Sequence, residues 1–497
     1  MRYHRDRLVG WALLWLLSLS ACWPTETPTG TRSSRGARPG TADWRRFGWN
    51  VSRSNAPKIK VGMTAPNLDS LGLQQVAIDG TVDASAIYLH AATLSDSSTH
   101  NVFFVTTTYG KTLAIDADSG TVLWRYIPPS YAGLAGSAQI TTATPVADPN
   151  GTYLYVASPD GNISKLAVAD GSMIWSTPIT LQPSYEKIGT ALNYYNGRVI
   201  ATTGGYNGDI PPYVGHVAIL DAGSGTLLAV WNALCSDQVG LMDPSTCPQW
   251  GAAIWGRAGA VIDSSTGNIY VATGNGLWDG ATNWGDAILE LDSLGNLVGN
   301  YTPNNTLTLD STDTDLGSTS PVLVGGSVIQ GGKDGLLRLV PWTQMTGNQP
   351  NVGGEQQVVP MPTGCEIITA PAVLQGPTAT WVFTACDGAI VGWQVTSGGL
   401  SPVWQVEGAG TSPVVADSLL FVYNMWGAGL QVYQAYTGTL LSTLPAGPGH
   451  WNSPIVVDGR IALPEGNAND HDTTGVFDIW RVTANPTAQV ARQRRVR

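Results

Sequence analysis

One pattern constrains this chain more than any other. A module of short apolar runs and glycine turns recurs along most of its 497 residues. Residues 102–126, VFFVTTTYGKTLAIDADSGTVLWRY, hold an apolar strand, a Gly-centred turn and a second strand, then a polar Asp/Ser/Gly turn and a third strand ending in Trp124. The same order returns in 153–175 and, with a longer first turn, in 198–231. A fourth copy contains IYVATGNGLWDGATNWGDAILELD (269–292). Later copies read SVIQGGKDGLLRLVPW, WVFTACDGAIVGWQVTSGGLSPVW and LLFVYNMWGAGLQVYQAYTGTLLSTL, and RIALPEGNANDHDTTGVFDIWRV makes an eighth. Gly120, Gly171, Gly225, Gly295, Gly347, Gly399 and Gly438 mark the second turn, at spacings of 51, 54, 70, 52, 52 and 39.

Four short strands per period, with no amphipathic helical stretch between them, cannot bury both faces of one module. Stacking the modules in a ring does so, and closing the ring removes exposed sheet edges. The expected fold is therefore all-β: a single β-propeller over 43–483, of eight four-stranded blades. Seven is the alternative, because the eighth copy (460–483) is the least regular. The N-terminal segment near Asp43 is expected to complete the last blade. Most of the 19 tryptophans and 59 glycines then have packing roles, with Trp124, Trp175 and Trp231 filling wedges between neighbouring blades.

The first 22 residues read as an export signal. MRYHRDR is basic, and LVGWALLWLLSLSA is apolar but short for a mature membrane span. Leu19-Ser20-Ala21-Cys22 resembles the bacterial lipobox, which implies diacylation of Cys22 and attachment to the periplasmic side of a membrane in the bacterial cell envelope. Ordinary secretory cleavage near the same alanine is the alternative. Residues 23–42, rich in Pro, Thr, Ser, Gly and Arg, read as a flexible tether, and 484–497 as a basic C-terminal tail. Export leaves Cys235, Cys247, Cys365 and Cys386, which pair locally as the expected disulfides 235–247 and 365–386. No CxxC or neighbouring histidine supports zinc.

A net charge of −11 argues against nucleic acid as a partner. No GxSxG, HExxH or P-loop is present, and the six histidines are scattered. His450, in GHWNSP, precedes a strand and could face the central funnel; a structural role is the alternative.

The stretch LAIDADSGTVLW fits the pattern AxDAxSGxxxW, and DWRRFGWNVSRSNAP occupies 43–57. Both resemble the pyrroloquinoline-quinone (PQQ) propeller family, over nearly the whole of 43–483. That family holds quinoprotein alcohol dehydrogenases and also cofactor-free lipoproteins, such as the scaffold of the outer-membrane barrel-assembly machinery. Fold alone does not decide between them. The resemblance implies a site residue by residue. Trp255, in IWGRAGAVID, matches the floor under the quinone, and Asn275, in ATGN, matches a calcium ligand. Asp315, in STDTDLGS, matches the catalytic base beside the metal. Lys333, in GGKDG, matches the cation that bonds the quinone oxygens.

The residue types suit that chemistry. Calcium takes carboxylate and amide oxygens. A base draws the alcohol proton as hydride leaves for the quinone, and a cation stabilises the charge that develops there. Two features depart from the family pattern. No adjacent pair of cysteines exists, and TTGGYNGDIPPYVGHVAILD offers Asp209 where the family has a calcium-binding Glu. No CxxCH haem motif is present, so electrons would need an external acceptor. Three functions follow: a PQQ- and calcium-dependent alcohol or sugar dehydrogenase, a cofactor-free scaffold for envelope proteins, or a propeller that binds a small ligand or glycan. For the first, Asn275, Asp315 and Lys333 should converge near the axis with Trp255 as one wall. The alternative for ATGNGLWDGATNWGD is a long structural turn with Trp278 and Trp284 capping the propeller face.

Overall fold

A computed structural model describes residues 42–482 apart from Pro377. Cys22, the expected signal segment, all but the last residue of the tether and the basic tail lie outside the described residues. Among those described, no helix is long and apolar enough to cross a membrane.

The strands form eight four-stranded antiparallel sheets, and these are the blades of one eight-bladed β-propeller. Seven blades are continuous in sequence, at 87–126, 146–178, 193–232, 261–301, 322–360, 372–409 and 414–444. The eighth takes three strands from 455–482, and its outermost strand is Leu71–Ile78, paired from Leu71↔Val482 to Ile78↔Gly475. The closing strand is thus not the segment at Asp43. The backbone there turns through positive φ at Gly48, Trp49, Arg53 and Asn55, which no strand can accommodate. LGLQQVAI, by contrast, alternates its burial toward the blade core at Val76 and Ile78.

The recurring Trp and Gly lock each blade to the next. The Trp124 indole N–H donates to the Val168 carbonyl at 2.9 Å, Trp175 to Gly223 at 3.1 Å and Trp404 to Ala435 at 2.9 Å. The rings lie over Gly171, Gly225 and Gly438, where an added Cβ would meet indole carbon within 2.6 Å. Glycine is needed at these turns for that approach and for φ of +68 to +78°. In the first copy the turn is fixed by Asp116, whose Oδ1 accepts from the Asp118 and Ser119 N–H groups. Both expected disulfides are formed, Cys235–Cys247 and Cys365–Cys386.

The segment 43–63 runs as a strap under the ring, past the far ends of the innermost strands. Trp44 exchanges backbone bonds with Tyr88 of blade 1, the Ala147 N–H of blade 2 donates to Arg45, and the Ile262 N–H of blade 4 donates to Val51. Val373 of blade 6, Val415 of blade 7 and Gly459 beside blade 8 donate to Ser54, Asn55 and Val61. Phe47 packs with Ala191, Ala258 and Ala370, from the segments leading into blades 3, 4 and 6, and so plugs the axis. The cavity described next therefore opens at the other end only.

Candidate functional site

At that other end lies a polar cavity of about 270 Å³, lined by Trp255, Asn275, Asp315 and Lys333 together with Lys187, Arg257 and His450. Two kinds of segment build it. One is the turn between the second and third strands of a blade, which carries Asn275 in blade 4 and Lys333 in blade 5. The other is the approach to a blade's innermost strand, which carries Trp255 and Asp315.

These four residues form one connected group. The Asp315 carboxylate accepts the Asn275 N–H on Oδ1 at 2.7 Å and pairs with Lys333 Nζ through Oδ2 at 2.5 Å. Asp313 bridges the same partners, taking the Asn275 Nδ2–H at 2.6 Å and lying 3.3 Å from Lys333 Nζ. The ammonium sits 5.5 Å from the Trp255 ring centroid, within cation–π range. This approach depends on Gly274, where an added Cβ would lie 2.1 Å from Asp315 Oδ1 and 3.3 Å from Trp255 Nε1. Burial pushes the Asp315 carboxyl up, and Lys333 offsets only part of that. Burial opposes the Lys333 charge as well, but Asp315 and Asp313 outweigh it and the ammonium is held above its usual range.

The turn 273–286 divides into two parts. Its Gly274–Asn275 end faces the cavity. The rest is a small hairpin bridged between Trp278 and Trp284, its tip held by Asp279, which accepts from Ala281, Thr282 and Asn283. Trp284 is buried, and Asn283 takes the Cys235 N–H, so the hairpin anchors the disulfide-closed loop 235–247. Behind Asp315, the fully buried Asp286 accepts the Leu316 N–H at 2.9 Å, and burial raises its pKa to about 8.

The opposite wall is one the sequence reading largely missed. Arg257 donates to Thr142 Oγ1 at 3.1 Å and to the Asp83 carbonyl at 2.8 Å. Asp83, fully buried, also accepts from His450 Nδ1 at 2.7 Å and from the N–H groups of Trp451 and Ala468. Burial opposes the Asp83 charge, yet His450, Arg257 and these N–H groups hold its carboxyl below the usual range. Lys187 completes the wall, with its pKa lowered to about 8 by burial and the Arg257 charge, against the pull of Asp83. A signal was present in the sequence: Asp83, Thr142, Arg257 and Trp451 each stand four residues before the first strand of their blade. Arg257 and Asp83 put charge where four of the other six copies place a small residue or hydroxyl, at Thr142, Gly189, Ser318 and Gly410.

The residues fit a planar, anionic ring. Trp255 offers an aromatic wall, and Gly204 on the same lining leaves room for Ala253, whose Cβ would lie 2.9 Å from a Cβ added there. The Asn275 Oδ1 is buried and accepts no hydrogen bond from the described residues. They do not fit a resident calcium ion. Calcium takes six to eight oxygen ligands, and Asp315 is already engaged by Lys333 and the Asn275 N–H. Among the described residues no group of three His, Cys, Asp or Glu side chains is placed to hold a metal. The calcium expected at Asn275 and Asp315 therefore lacks its donor set.

An eight-bladed propeller with a polar cavity at one end of its axis defines the structural class. A family model described as "Outer membrane protein assembly factor BamB" matches residues 89–244. Polyvinylalcohol dehydrogenase of Sphingopyxis sp. (strain 113P3) is 26% identical over 208 residues, 38% of this chain and 30% of the relative. Quinohemoprotein alcohol dehydrogenase ADH IIB of Pseudomonas putida is 27% identical over 250 residues, 47% of this chain and 34% of the relative. The matched stretches thus span about a third of these relatives. Among solved structures, quinohemoprotein alcohol dehydrogenase from Comamonas testosteroni superposes with a TM-score of 0.64 at 16% identity, covering 89% of this chain and 81% of that one. Over these stretches the chain is similar to proteins built from PQQ-type propeller repeats.

Proposed function

We propose that this protein binds pyrroloquinoline quinone in the axial cavity and oxidises an alcohol or sugar hydroxyl there, as an exported protein anchored to the cell envelope through a lipid on Cys22. One observation carries the reading: Trp255, Asn275, Asp315 and Lys333 come from four separate segments and meet in one blind cavity. The bound quinone would supply the two-electron acceptor for the hydride of the alcohol carbon. The residues would do the rest. Asp315 is placed to receive the hydroxyl proton, and its raised pKa makes it a stronger base than a free carboxylate. Lys333 holds that carboxylate in position and sets a positive charge beside the Trp255 ring. With no haem motif in the chain, electrons would leave to a separate acceptor.

A second reading is binding without chemistry, of a small ligand or of an envelope protein. The 2.5 Å ion pair favours it, because Lys333 engages the very oxygen a base would use. Titrating the purified protein with the quinone while recording its absorption spectrum, then assaying dye-linked alcohol oxidation, separates the readings. Binding with turnover supports the dehydrogenase. Binding without turnover leaves a ligand-binding propeller, and no binding removes the quinone from the account.

A further inference from the structure

Three tryptophans stand clearly exposed among the described residues: Trp250, Trp342 and Trp426. Trp342 follows the third strand of blade 5 and so belongs to the strapped end. Trp250 is part of the cavity rim, where it packs edge-to-face on the cavity-lining Tyr213. Trp426 is the most exposed, at 69%. It sits in the turn between the second and third strands of blade 7, the class of turn that carries Asn275 and Lys333 at the open end. That turn adjoins the cavity wall. The Gly449 N–H donates to the Met425 carbonyl at 2.9 Å, and the cavity-lining His450 and Trp451 follow directly.

Trp426 is exposed but not free. Its indole N–H donates to Asp387 Oδ1 at 3.0 Å, and its backbone N–H donates to Asn424 Oδ1 at 3.0 Å. Asp387 is itself held, beside Cys386 of a disulfide and paired with Ala409 in the blade 6 ladder. The ring is thus fixed in one direction while most of its surface meets solvent. It forgoes the burial that Trp284, Trp393 and Trp480 obtain, and it gives up rotamer freedom as well. A ring set in advance in this way loses little further freedom when a ligand covers it.

The surroundings narrow what that ligand is. Across 359–439, the only other exposed large apolar side chain among the described residues is Val403, on the outermost strand of blade 6. The ring therefore stands alone, without the contiguous apolar patch that a protein interface needs. A carboxylate lies at its edge, in a chain of net charge −11, which disfavours an anionic ligand. A neutral sugar ring matches both features: its C–H face covers the indole, and its hydroxyls donate to Asp387. We infer that Trp426 and Asp387 form a stacking subsite for a neutral oligosaccharide whose end enters the axial cavity. The ligand is then a chain of sugar rings rather than a short alcohol. The inference rests on the function proposed above for what happens to that end; the stacking subsite asks only for the sugar.

The test is binding in the absence of any quinone. Wild-type protein, W426A and W426F are each titrated by calorimetry with cellobiose, cellopentaose, maltose and maltopentaose. At least one pentasaccharide should bind wild type, and more tightly than its disaccharide. W426A should weaken that pentasaccharide about tenfold, and W426F should keep most of the affinity. Unchanged pentasaccharide affinity in W426A would overturn the subsite, as would wild type binding none of the four sugars. Adsorption to vesicles of phosphatidylethanolamine and phosphatidylglycerol that needs Trp426, without sugar binding, would also overturn it and make the ring a membrane contact. Sugar binding that needs Trp426 in a protein that binds no quinone keeps the subsite and removes the dehydrogenase. Quinone-dependent turnover with sugar affinity indifferent to residue 426 does the reverse. Thermal unfolding of each variant checks that it is folded.

Discussion

The two ends of the propeller axis hold buried cations in opposite ways. At the strapped end, Arg53 directs its guanidinium at the carbonyls of Phe47, Ala191 and Leu192, and Arg46 reaches Asn193 Oδ1 and the Tyr194 carbonyl. These contacts are all to the protein's own carbonyls and amide oxygen. At the open end the cations sit among carboxylates whose positions are set by a few backbone N–H groups, and the Lys187 ammonium has no hydrogen-bond or ion-pair partner among the described residues. One end uses polar groups to tie blades together. The other tolerates unfavourable burial, which is what a preorganised site requires. Substitutions should therefore destabilise at the strapped end and stabilise at the open end.

The largest effect is expected at Asp286. Its Oδ2 has no hydrogen-bond partner among the described residues, and its folded pKa of about 8 lies above the unfolded value of a carboxyl. The folded state then keeps a proton that the unfolded state has lost, so stability is full in acid and falls as pH rises toward about 8. At about 1.4 kcal/mol per pH unit over roughly four units, this amounts to about 5 to 6 kcal/mol. Asp286→Asn should remove that slope, leaving the variant as stable as wild type near pH 4 and more stable at pH 8. Urea unfolding across that range reads the difference; parallel pH profiles would show that Asp286 does not hold its proton.

Arg53→Ala comes next, with the opposite sign. It leaves three buried carbonyls without their donor and a void beside the Phe47 plug, so a loss of about 3 kcal/mol is expected. Denaturant unfolding checks it. A loss below about 1 kcal/mol would mean that the strap is not what holds the axis together.

The two ends were also unequally legible in the sequence. The blades, their number and the disulfides could be read because each rests on a local pattern: alternating burial, an Asx turn with glycine at positive φ, and a Trp that must lie over the next glycine. Trp255, Asn275, Asp315 and Lys333 could be placed together because each stood in a recognisable fragment. The strap could not be read. Residues 43–63 take their conformation from backbone bonds to several blades hundreds of residues away, and nothing local distinguishes such a segment from a strand. Asp83 and Lys187 were missed for a related reason. A charge that points at an axis acquires meaning only when the ring is closed, although the place of Asp83, four residues before its strand, repeats in Thr142, Arg257 and Trp451.

The smallest expected effect tests the comparison most sharply, because it falls on a cation of the open end with no hydrogen-bond or ion-pair partner among the described residues. Burial and Arg257 lower the Lys187 pKa to about 8, so at neutral pH the folded protein carries a charge it would rather release. Lys187→Met should then raise stability by about 1 to 2 kcal/mol, a figure discounted for the solvent that reaches the ammonium through the cavity. The sign of the pH dependence follows from the depressed pKa. Below about pH 8 both states are protonated and the gain of the variant is full. Above it the folded wild type loses its proton while the unfolded chain keeps one, so wild-type stability rises and the gain shrinks toward the ordinary lysine value. Differential unfolding of the two proteins from neutral to alkaline pH measures this directly. A variant less stable than wild type at neutral pH would mean that Lys187 holds the blade together, and the contrast between the two ends of the axis would not extend to it.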